Sequence, residues 1–203
     1  MRHWTLDFVC ATLAGMRRRS RDELIDPGAM LATLHELGDG LRIGLRLTRP
    51  SDAPRVRAFL DRLSDETKLR RFFVAMPEVD DKNVQHFTFY NPRERLVLAA
   101  TAPLAGVEEI IGLADVALIE TGVAELGLVV DDEHQGRGVG QALLECLARL
   151  AASYGATHLK AEMLDHNARM LHLMQQLGRT VETVEDGHRM VYTRLPLRAR
   201  RAA

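Results

Sequence analysis

The feature that most restricts the fold is a strand-like run that leads through a glycine-rich loop directly into a helix. Val123–Val130 is apolar and strand-like, and residues 141–154 carry one apolar stripe at helical spacing. Between them lies Gln-Gly-Arg-Gly-Val-Gly at 135–140. Three glycines before a helix N-terminus let the backbone approach a ligand closely, and the helix dipole favours an anion there. The run therefore predicts a pyrophosphate-binding loop.

Other glycine motifs fit this loop less well. A dinucleotide-binding fingerprint requires a third glycine where Gln141 stands. A Walker A loop requires Gly-Lys followed by Ser or Thr, which is not the sequence here. On pattern alone, a glycine-rich turn that merely joins a strand to a helix stays open as the alternative.

The rest of the sequence predicts a mixed α/β domain. Residues 41–48 alternate as a half-buried strand does, with Leu41, Ile43, Leu45 and Leu47 on one face. The expected order is a strand, two helices, three strands, a helix, a strand, a helix and a hairpin, which gives a sheet with helices on its faces. The predicted helices lie at 53–63, 64–73, 141–154 and 168–177, with a short one within 76–90, and the predicted strands at 41–48, 96–101, 109–119, 123–130, 158–163, 180–184 and 188–194.

The first forty residues differ from the rest. Asp26-Pro27 is typical of a helix start, and it predicts a helix that runs to about residue 37. A break follows at Gly38-Asp39-Gly40. We therefore divide the chain into a helical N-terminal extension at residues 1–40 and one α/β domain at residues 41–203.

Composition gives no support to several classes of partner and cofactor. The formal net charge of −1 gives no reason to expect nucleic acid or an anionic membrane as a partner. Residues 6–16 are apolar but too few to span a bilayer. Cys10, Cys146 and the eight histidines form no zinc-ligand motif, so we expect no metal, and His134 beside the glycine loop is expected to be solvated. The cysteine usage fits the reducing cytoplasm.

The loop also carries a resemblance to a known family. Gln135–Gly140 is similar to the Gln/Arg-x-x-Gly-x-Gly/Ala signature of the GNAT superfamily of N-acetyltransferases, and the resemblance extends over about residues 41–195. Asn167 and Gly178 have the family's spacing on the next helix. Within the superfamily the chain most resembles the catalytic domains of bacterial protein lysine acetyltransferases. Four stretches carry that narrower likeness: residues 63–67, 70–73, 124–125 and 163–170.

The resemblance implies a fold, a cosubstrate and a binding site. The fold would be α/β, with a mixed and splayed central sheet and helices on both faces. Acetyl-CoA would be the cosubstrate, and an acceptor amine would enter between the strands at 123–130 and 158–163. The residues implied to bind the pantetheine arm or the pyrophosphate are Val129, Val130, Gln135, Gly136, Arg137, Gly138, Val139, Gly140 and Asn167.

Glu125 is the candidate general base. An ammonium is no nucleophile, and free lysine has a pKa of about 10.4, so the amine must lose a proton before it attacks. Glu125 lies in the strand that enters the loop, at a position that is acidic in the lysine acetyltransferases. The alternative is that Glu125 has no catalytic role and that its side chain simply faces solvent from the strand. Many members of the superfamily that acetylate small molecules have a tyrosine that acts as the general acid, and this chain has Met174 at that position. Tyr192 and Tyr154 are then the candidates for the general acid.

These patterns predict transfer of an acetyl group from acetyl-CoA to an amine, with a protein lysine as the favoured acceptor. Two alternatives remain open. One is an N-acetyltransferase that acts on a small-molecule amine. The other is a non-catalytic regulatory module that only binds acyl-CoA, which the departure at Met174 leaves possible.

Overall fold

Eight strands in one sheet and five α-helices make up the described part of the chain. The structure is a computed structural model and describes residues 33–75, 78–104 and 106–195. The strands are β1 (Thr33–Glu36), β2 (Arg42–Leu47), β3 (Arg95–Leu104), β4 (Val107–Glu120), β5 (Val123–Val130), β6 (His158–Leu164), β7 (Thr180–Glu185) and β8 (His188–Arg194). The helices are α1 (Ala53–Arg62), α2 (Asp65–Phe72), α3 (Asp81–Thr88), α4 (Val139–Ser153) and α5 (Ala168–Leu177). The mixed α/β fold predicted from the sequence is confirmed.

The sheet has one parallel pair, and that pair is short. The strand order is β1-β2-β3-β4-β5-β6-β8-β7, and every neighbouring pair except β5–β6 is antiparallel. The register of β5 on β6 runs from Val123 opposite His158 to Leu126 opposite Ala161 and then stops. The rest of β5 stays paired with β4, and the rest of β6 stays paired with β8. The sheet therefore splays open between β5 and β6, as the resemblance implied.

Hydrophobic cores lie on both faces of the sheet. Strand β3 supplies both, because Leu98 packs in the cluster that contains the buried face of α4, whereas Val97 packs in the cluster that contains α1 and α3. The stripe on α4 is buried as its spacing predicted, and Leu143 and Leu147 are fully enclosed. Helix α5 packs on the same face as α4. Both helices are thus fixed beside the open end of the β5–β6 pair.

The predicted helix that runs to about residue 37 is wrong at its C-terminal end. Residues Thr33–Glu36 form β1, which pairs antiparallel with β2. The break at 38–40 is the turn of this hairpin, in which the Leu37 N–H donates to the Leu41 carbonyl and Gly40 has a φ of +82°. Pairing with a strand that follows the turn thus overrides the local helical pattern. The first 32 residues, and with them most of the predicted extension, lie outside the described residues.

The described residues show neither a membrane span nor a metal cluster. None of their helices is long and apolar enough to cross a bilayer. No three His, Cys, Asp or Glu side chains among them come together as metal ligands would. Cys146 is a buried free thiol in α4, and Cys10 lies outside the described residues.

Candidate functional site

A cleft of about 1030 Å³ opens where β5 and β6 separate. Its walls come from β5, the glycine loop, α2, α5 and the segment that follows α3. Glu125, Gly138 and Asn167, which belong to three separate segments of the sequence, all line it. The cleft therefore brings together the candidate base, the glycine loop and the helix-start asparagine.

The glycines of the loop serve two physical purposes. Gly136 and Gly138 have φ values of +77° and +94°, a left-handed conformation that costs other residues energy. Gly138 is the residue before α4, and no side chain caps the N–H groups at that helix start. Gly140 instead permits close packing, because a Cβ there would lie 3.4 Å from a methyl carbon of Leu173 in α5. An uncapped helix N-terminus on the cleft wall is suited to an anion.

The start of α2 holds the glycine loop in place. Asp132, in the turn that leads into the loop, accepts hydrogen bonds from the backbone N–H and the hydroxyl of Ser64, at 2.9 and 2.8 Å. Its other close donor is the Thr67 hydroxyl, at 2.7 Å. Desolvation opposes ionisation of Asp132, but these hydrogen bonds outweigh it and lower its pKa. Ser64 also caps α2, because its side chain accepts a hydrogen bond from the Thr67 N–H at 3.2 Å, so one residue serves both the helix start and the glycine loop.

A second anchor lies under the same turn. The His134 ring nitrogen Nδ1 lies 2.6 Å from a carboxylate oxygen of Asp131, and both side chains are buried. Arg62 donates to the other oxygen of Asp131 at 3.2 Å. The expectation of a solvated His134 is therefore wrong. The short 3-10 turn at Asp132–His134, capped by Asp131, folds the imidazole back against the carboxylate.

The two polar side chains of the loop both have protein partners. Gln135 donates to the Val130 carbonyl at 3.1 Å and accepts from Arg169 of α5 at 2.5 Å. Arg137 donates to Asp39 in the β1–β2 turn at 2.5 Å, and this hydrogen bond lowers the pKa of Asp39. Gln135 thus connects β5 to α5, and Arg137 connects the loop to the first hairpin.

The other implied binding residues present different groups to the cleft. The side chains of Val129 and Val130 pack in opposite cores, so only their backbone and limited side-chain surface border the cleft. Val139 is fully buried, with its side chain in the core around α4. Asn167 caps α5, its side-chain oxygen accepting from the Met170 N–H at 3.2 Å, and it lines the cleft.

Glu125 lies in the cleft beside a lysine. It stands directly opposite Lys160 in the parallel register, and the Lys160 Nζ is 2.9 Å from Glu125 Oε1. The two side chains are only 27% and 12% exposed. Glu125 thus faces the cleft rather than open solvent, one residue before the last position at which β5 pairs with β6.

A cluster of charged residues that lines the cleft was not predicted from the sequence. Asp115 of β4 is buried and accepts from Arg71 at 2.5 Å, with His86 and Arg95 at 3.5 and 4.0 Å. Burial alone would raise the pKa of Asp115, but the charge of Arg71 and the contact with His86 hold it far below its usual range. Asp115 is therefore a structural anion and is unsuited to accept a proton from an amine.

Arg71 reaches Asp115 across the backbone of β5. Its guanidinium lies over Gly127, where a Cβ would come within 2.5 Å of the guanidinium carbon. The same group stacks over the rings of Phe72 and Phe87 at 5.3 and 5.8 Å. The missing side chain of Gly127 is thus the space that the arginine occupies.

The position expected to carry a tyrosine acid belongs to the core. Met174 is fully buried in α5. Tyr154 packs against the core around α4, and neither Tyr154 nor Tyr192 lines the cleft. Tyr90 does line it, but its hydroxyl donates to the Thr48 carbonyl at 3.0 Å. None of the three tyrosines therefore presents a free hydroxyl beside Glu125.

Comparison with known proteins decides the family. The sequence profile of the acetyltransferase (GNAT) family matches residues 57–178, more than half of the chain. The chain belongs to the GNAT acetyltransferase family. An acetyltransferase of Pseudomonas aeruginosa is 25% identical to this GNAT acetyltransferase over 165 residues, which are 81% of this chain and 89% of that protein.

Solved structures agree with this assignment. The GNAT domain of the S. lividans protein PAT is 33% identical and superimposes with a TM-score of 0.72, over 80% of this chain and 96% of that one. A cAMP-binding acyltransferase from Mycobacterium smegmatis has the same fold, with 23% identity and a TM-score of 0.56. This GNAT acetyltransferase covers 87% of its own length in that match but only 50% of the mycobacterial chain.

We predict that Asp115→Asn destabilises this GNAT acetyltransferase by about 3 kcal/mol at neutral pH. This is the lower end of the range for breaking a buried ion pair, because asparagine can still accept a hydrogen bond from Arg71. The folded-state pKa of Asp115 is lowered, so its contribution to stability is complete above its unfolded pKa of about 3.9 and is lost as the pH falls through the folded value. The difference in the free energy of unfolding between Asp115→Asn and the unsubstituted protein should therefore become smaller below about pH 4.

Urea unfolding at several pH values measures this difference. Glu120→Gln, at the exposed end of the same strand, is the matched control, and its free energy of unfolding should stay within about 0.5 kcal/mol of the unsubstituted protein. Equal effects of the two substitutions at neutral pH would contradict the role given to Asp115.

Proposed function

We propose that this GNAT acetyltransferase moves an acetyl group from acetyl-CoA to an amine, with Glu125 as the general base. The observation that carries the proposal is the shared cleft at the β5–β6 opening, in which the glycine loop and Glu125 are both wall residues. A non-catalytic acyl-CoA module would need the loop but would have no use for a carboxylate at the point where the strands separate.

The cosubstrate would use backbone groups more than side chains. The pyrophosphate would lie against Gly136 and Gly138 at the uncapped start of α4, where N–H groups and the helix dipole favour negative charge. The pantetheine arm would follow Val129 and Val130, because the edge of β5 beyond Leu126 has no β6 partner for its backbone groups. Asn167 lies on the same wall.

The reaction needs a proton acceptor close to the amine. Glu125 would take a proton from the acceptor ammonium, and the free amine would attack the thioester carbonyl. As the new C–N bond forms and the C–S bond breaks, the nitrogen loses a second proton, which the departing thiolate takes, and Glu125 releases the first proton to solvent. A backbone N–H on the unpaired edge of β5 would stabilise the oxyanion. Three carboxylates of the strands line the cleft, and Glu125 is the best candidate base among them. Asp115 is committed to Arg71, and Glu162 lies 2.9 Å from His188.

A protein lysine is the acceptor that the mouth of the cleft favours. Phe89 lines the cleft and is 61% exposed, and Val74, which follows the cleft residue Phe73 in the chain, is 57% exposed. Apolar groups at the mouth offer contact area to a folded protein, whose remote binding energy improves the positioning of the reacting atoms. Such positioning matters more in a site that lacks a tyrosine acid at position 174.

The first prediction from this proposed function concerns acetyl-CoA binding at the glycine loop. Gly138→Asp should raise the Kd for acetyl-CoA by more than about tenfold, equivalent to about 1.4 kcal/mol, because a carboxylate there repels and displaces the pyrophosphate. Gly155→Asp is the matched control, since Gly155 has a similar φ of +97°, has no atom within 4 Å of a Cβ built there, and lies just beyond the opposite end of α4. Calorimetric titration with acetyl-CoA measures both. Equal affinity of the two variants would exclude the loop as the pyrophosphate site.

The second prediction concerns the base. Glu125→Gln keeps the size of the side chain but cannot accept a proton, so we expect kcat to fall by about 10²–10⁴-fold with little change in acetyl-CoA affinity. Glu162→Gln is the matched control, because Glu162 also lines the cleft and lies on the same face of β6 as Lys160. Turnover is measured from pH 6 to about 9. Full activity of Glu125→Gln with loss in Glu162→Gln would transfer the role to Glu162.

The third prediction concerns the acceptor. A folded protein lysine should be acetylated with a higher kcat/KM than free lysine or a small polyamine. Steady-state kinetics on a panel of amines, beside mass spectrometry of acetyl-lysine in cytosolic proteins, tests this preference. A small amine turned over at more than about 10⁴ M⁻¹s⁻¹, without enzyme-dependent protein acetylation, would favour the small-molecule enzyme instead.

A further inference from the structure

Lys160 places an amine of the protein itself beside the proposed general base, Glu125. Its Nζ is 2.9 Å from Glu125 Oε1, within hydrogen-bonding distance of the proposed base. The register fixes this contact, because the two residues are direct partners at the third of the four parallel pairs. The side chain is 12% exposed, so the ammonium is held within the protein rather than in bulk solvent.

We infer that Lys160 is a self-acetylation site: the acetyl-CoA bound in the cleft acetylates it before or alongside external acceptors. The inference rests on the proposed function, since it uses the same base and cosubstrate. Glu125 takes a proton from the Lys160 ammonium, and the resulting amine attacks the thioester carbonyl. As the C–N bond of acetyl-lysine forms and the C–S bond breaks, the nitrogen loses a second proton to the departing thiolate, so CoA leaves as the thiol, and Glu125 releases the first proton to solvent. Atoms and charge balance without any further reactant.

The chain geometry permits this transfer. Lys160 stands one residue before Ala161, the last position at which β6 pairs with β5, so its backbone lies next to the point where the strands separate. Its side chain contacts the cleft residue Glu125 but does not itself line the cleft. A lysine ammonium sits on a flexible four-carbon stem and can move by several ångströms from Glu125 toward a thioester in the opening. Acetylation removes the positive charge, so the product cannot form an ion pair with Glu125. The carboxylate is then available to an external amine.

The other lysines provide an internal control. The lysines of the sequence are Lys68, Lys82 and Lys160. Lys82 is exposed on α3, whereas Lys68 is buried on α2. Spontaneous acetylation by a thioester follows exposure and would modify Lys82 first. Transfer within the cleft would modify Lys160 first, so the order of modification separates the two routes without any substitution.

The experiment incubates the purified chain with acetyl-CoA and no added acceptor, and follows each lysine by peptide mass spectrometry. We expect Lys160 to be acetylated ahead of Lys82, either as purified or during incubation, with a first-order rate that tenfold dilution of the protein does not change. Glu125→Gln should slow this reaction by about 10²-fold or more. Lys160→Arg keeps the positive charge but should abolish the modification, and Lys82→Arg should leave it unchanged.

Three results would overturn the inference: Lys82 modified ahead of Lys160, Lys160 modified equally in Glu125→Gln, or a rate that scales with protein concentration. A parallel reaction with the amine and protein acceptors separates this failure from failure of the proposed function. Acetylated acceptor with unmodified Lys160 overturns the self-acetylation alone. Unmodified Lys160 with no acetylated acceptor of any kind overturns both.

Discussion

Parallel pairing between β5 and β6 ends at Leu126 and Ala161, and the cleft depends on that ending. A sheet that stayed paired would bury the backbone groups of β5 that here face an opening. Both strands keep their outer partners, β4 and β8, so the separation costs ladder hydrogen bonds on one edge of each strand only. Helices α4 and α5 pack on one face of the sheet and hold the two halves at this distance. The opening is thus part of the packed fold, and it leaves one edge of β5 without a β6 partner beyond Leu126.

The glycine loop depends on residues that are remote in sequence for its position. Gly136 and Gly138 give it the left-handed turns that it needs, but they cannot fix where it lies. Asp132 attaches it to Ser64 and Thr67 at the start of α2. Further contacts reach it from the β1–β2 turn, from α5 and from the end of α1. These polar contacts fix the position of the loop, so that Gly136 and Gly138 line the cleft beside the uncapped start of α4.

The sequence predicted those parts of the molecule whose signal is local. The bounds of β5 and α5 were predicted to the residue, because their periodicity and their flanking turns agree. Strand β1 was missed because its partner lies across a turn, and a helical pattern in residues 27–37 competes with that pairing. His134 was misjudged because its burial depends on Asp131 and Arg62, the latter 69 residues from Asp131. Asp115 was missed for the same reason, since nothing near it in the sequence announces an arginine 44 residues away. The sequence of one protein shows the hydrophobic periodicity of its strands and helices and the residues of its turns. Ion pairs between residues that are distant in sequence form only when those elements pack together, so the sequence does not show them.

The contact of Arg71 with Gly127 has a consequence for how this protein can vary. A Cβ at position 127 would overlap with the guanidinium of Arg71, so a side chain at 127 is incompatible with the present position of that guanidinium. Without that guanidinium, Asp115 would lose its closest counter-charge in a buried site. Positions 71, 115 and 127 should therefore change together or remain together. In a laboratory evolution experiment, Gly127→Ala would be tolerated chiefly in a protein in which Arg71 and Asp115 have already been replaced. The order in which these substitutions arise is therefore as important as their identity.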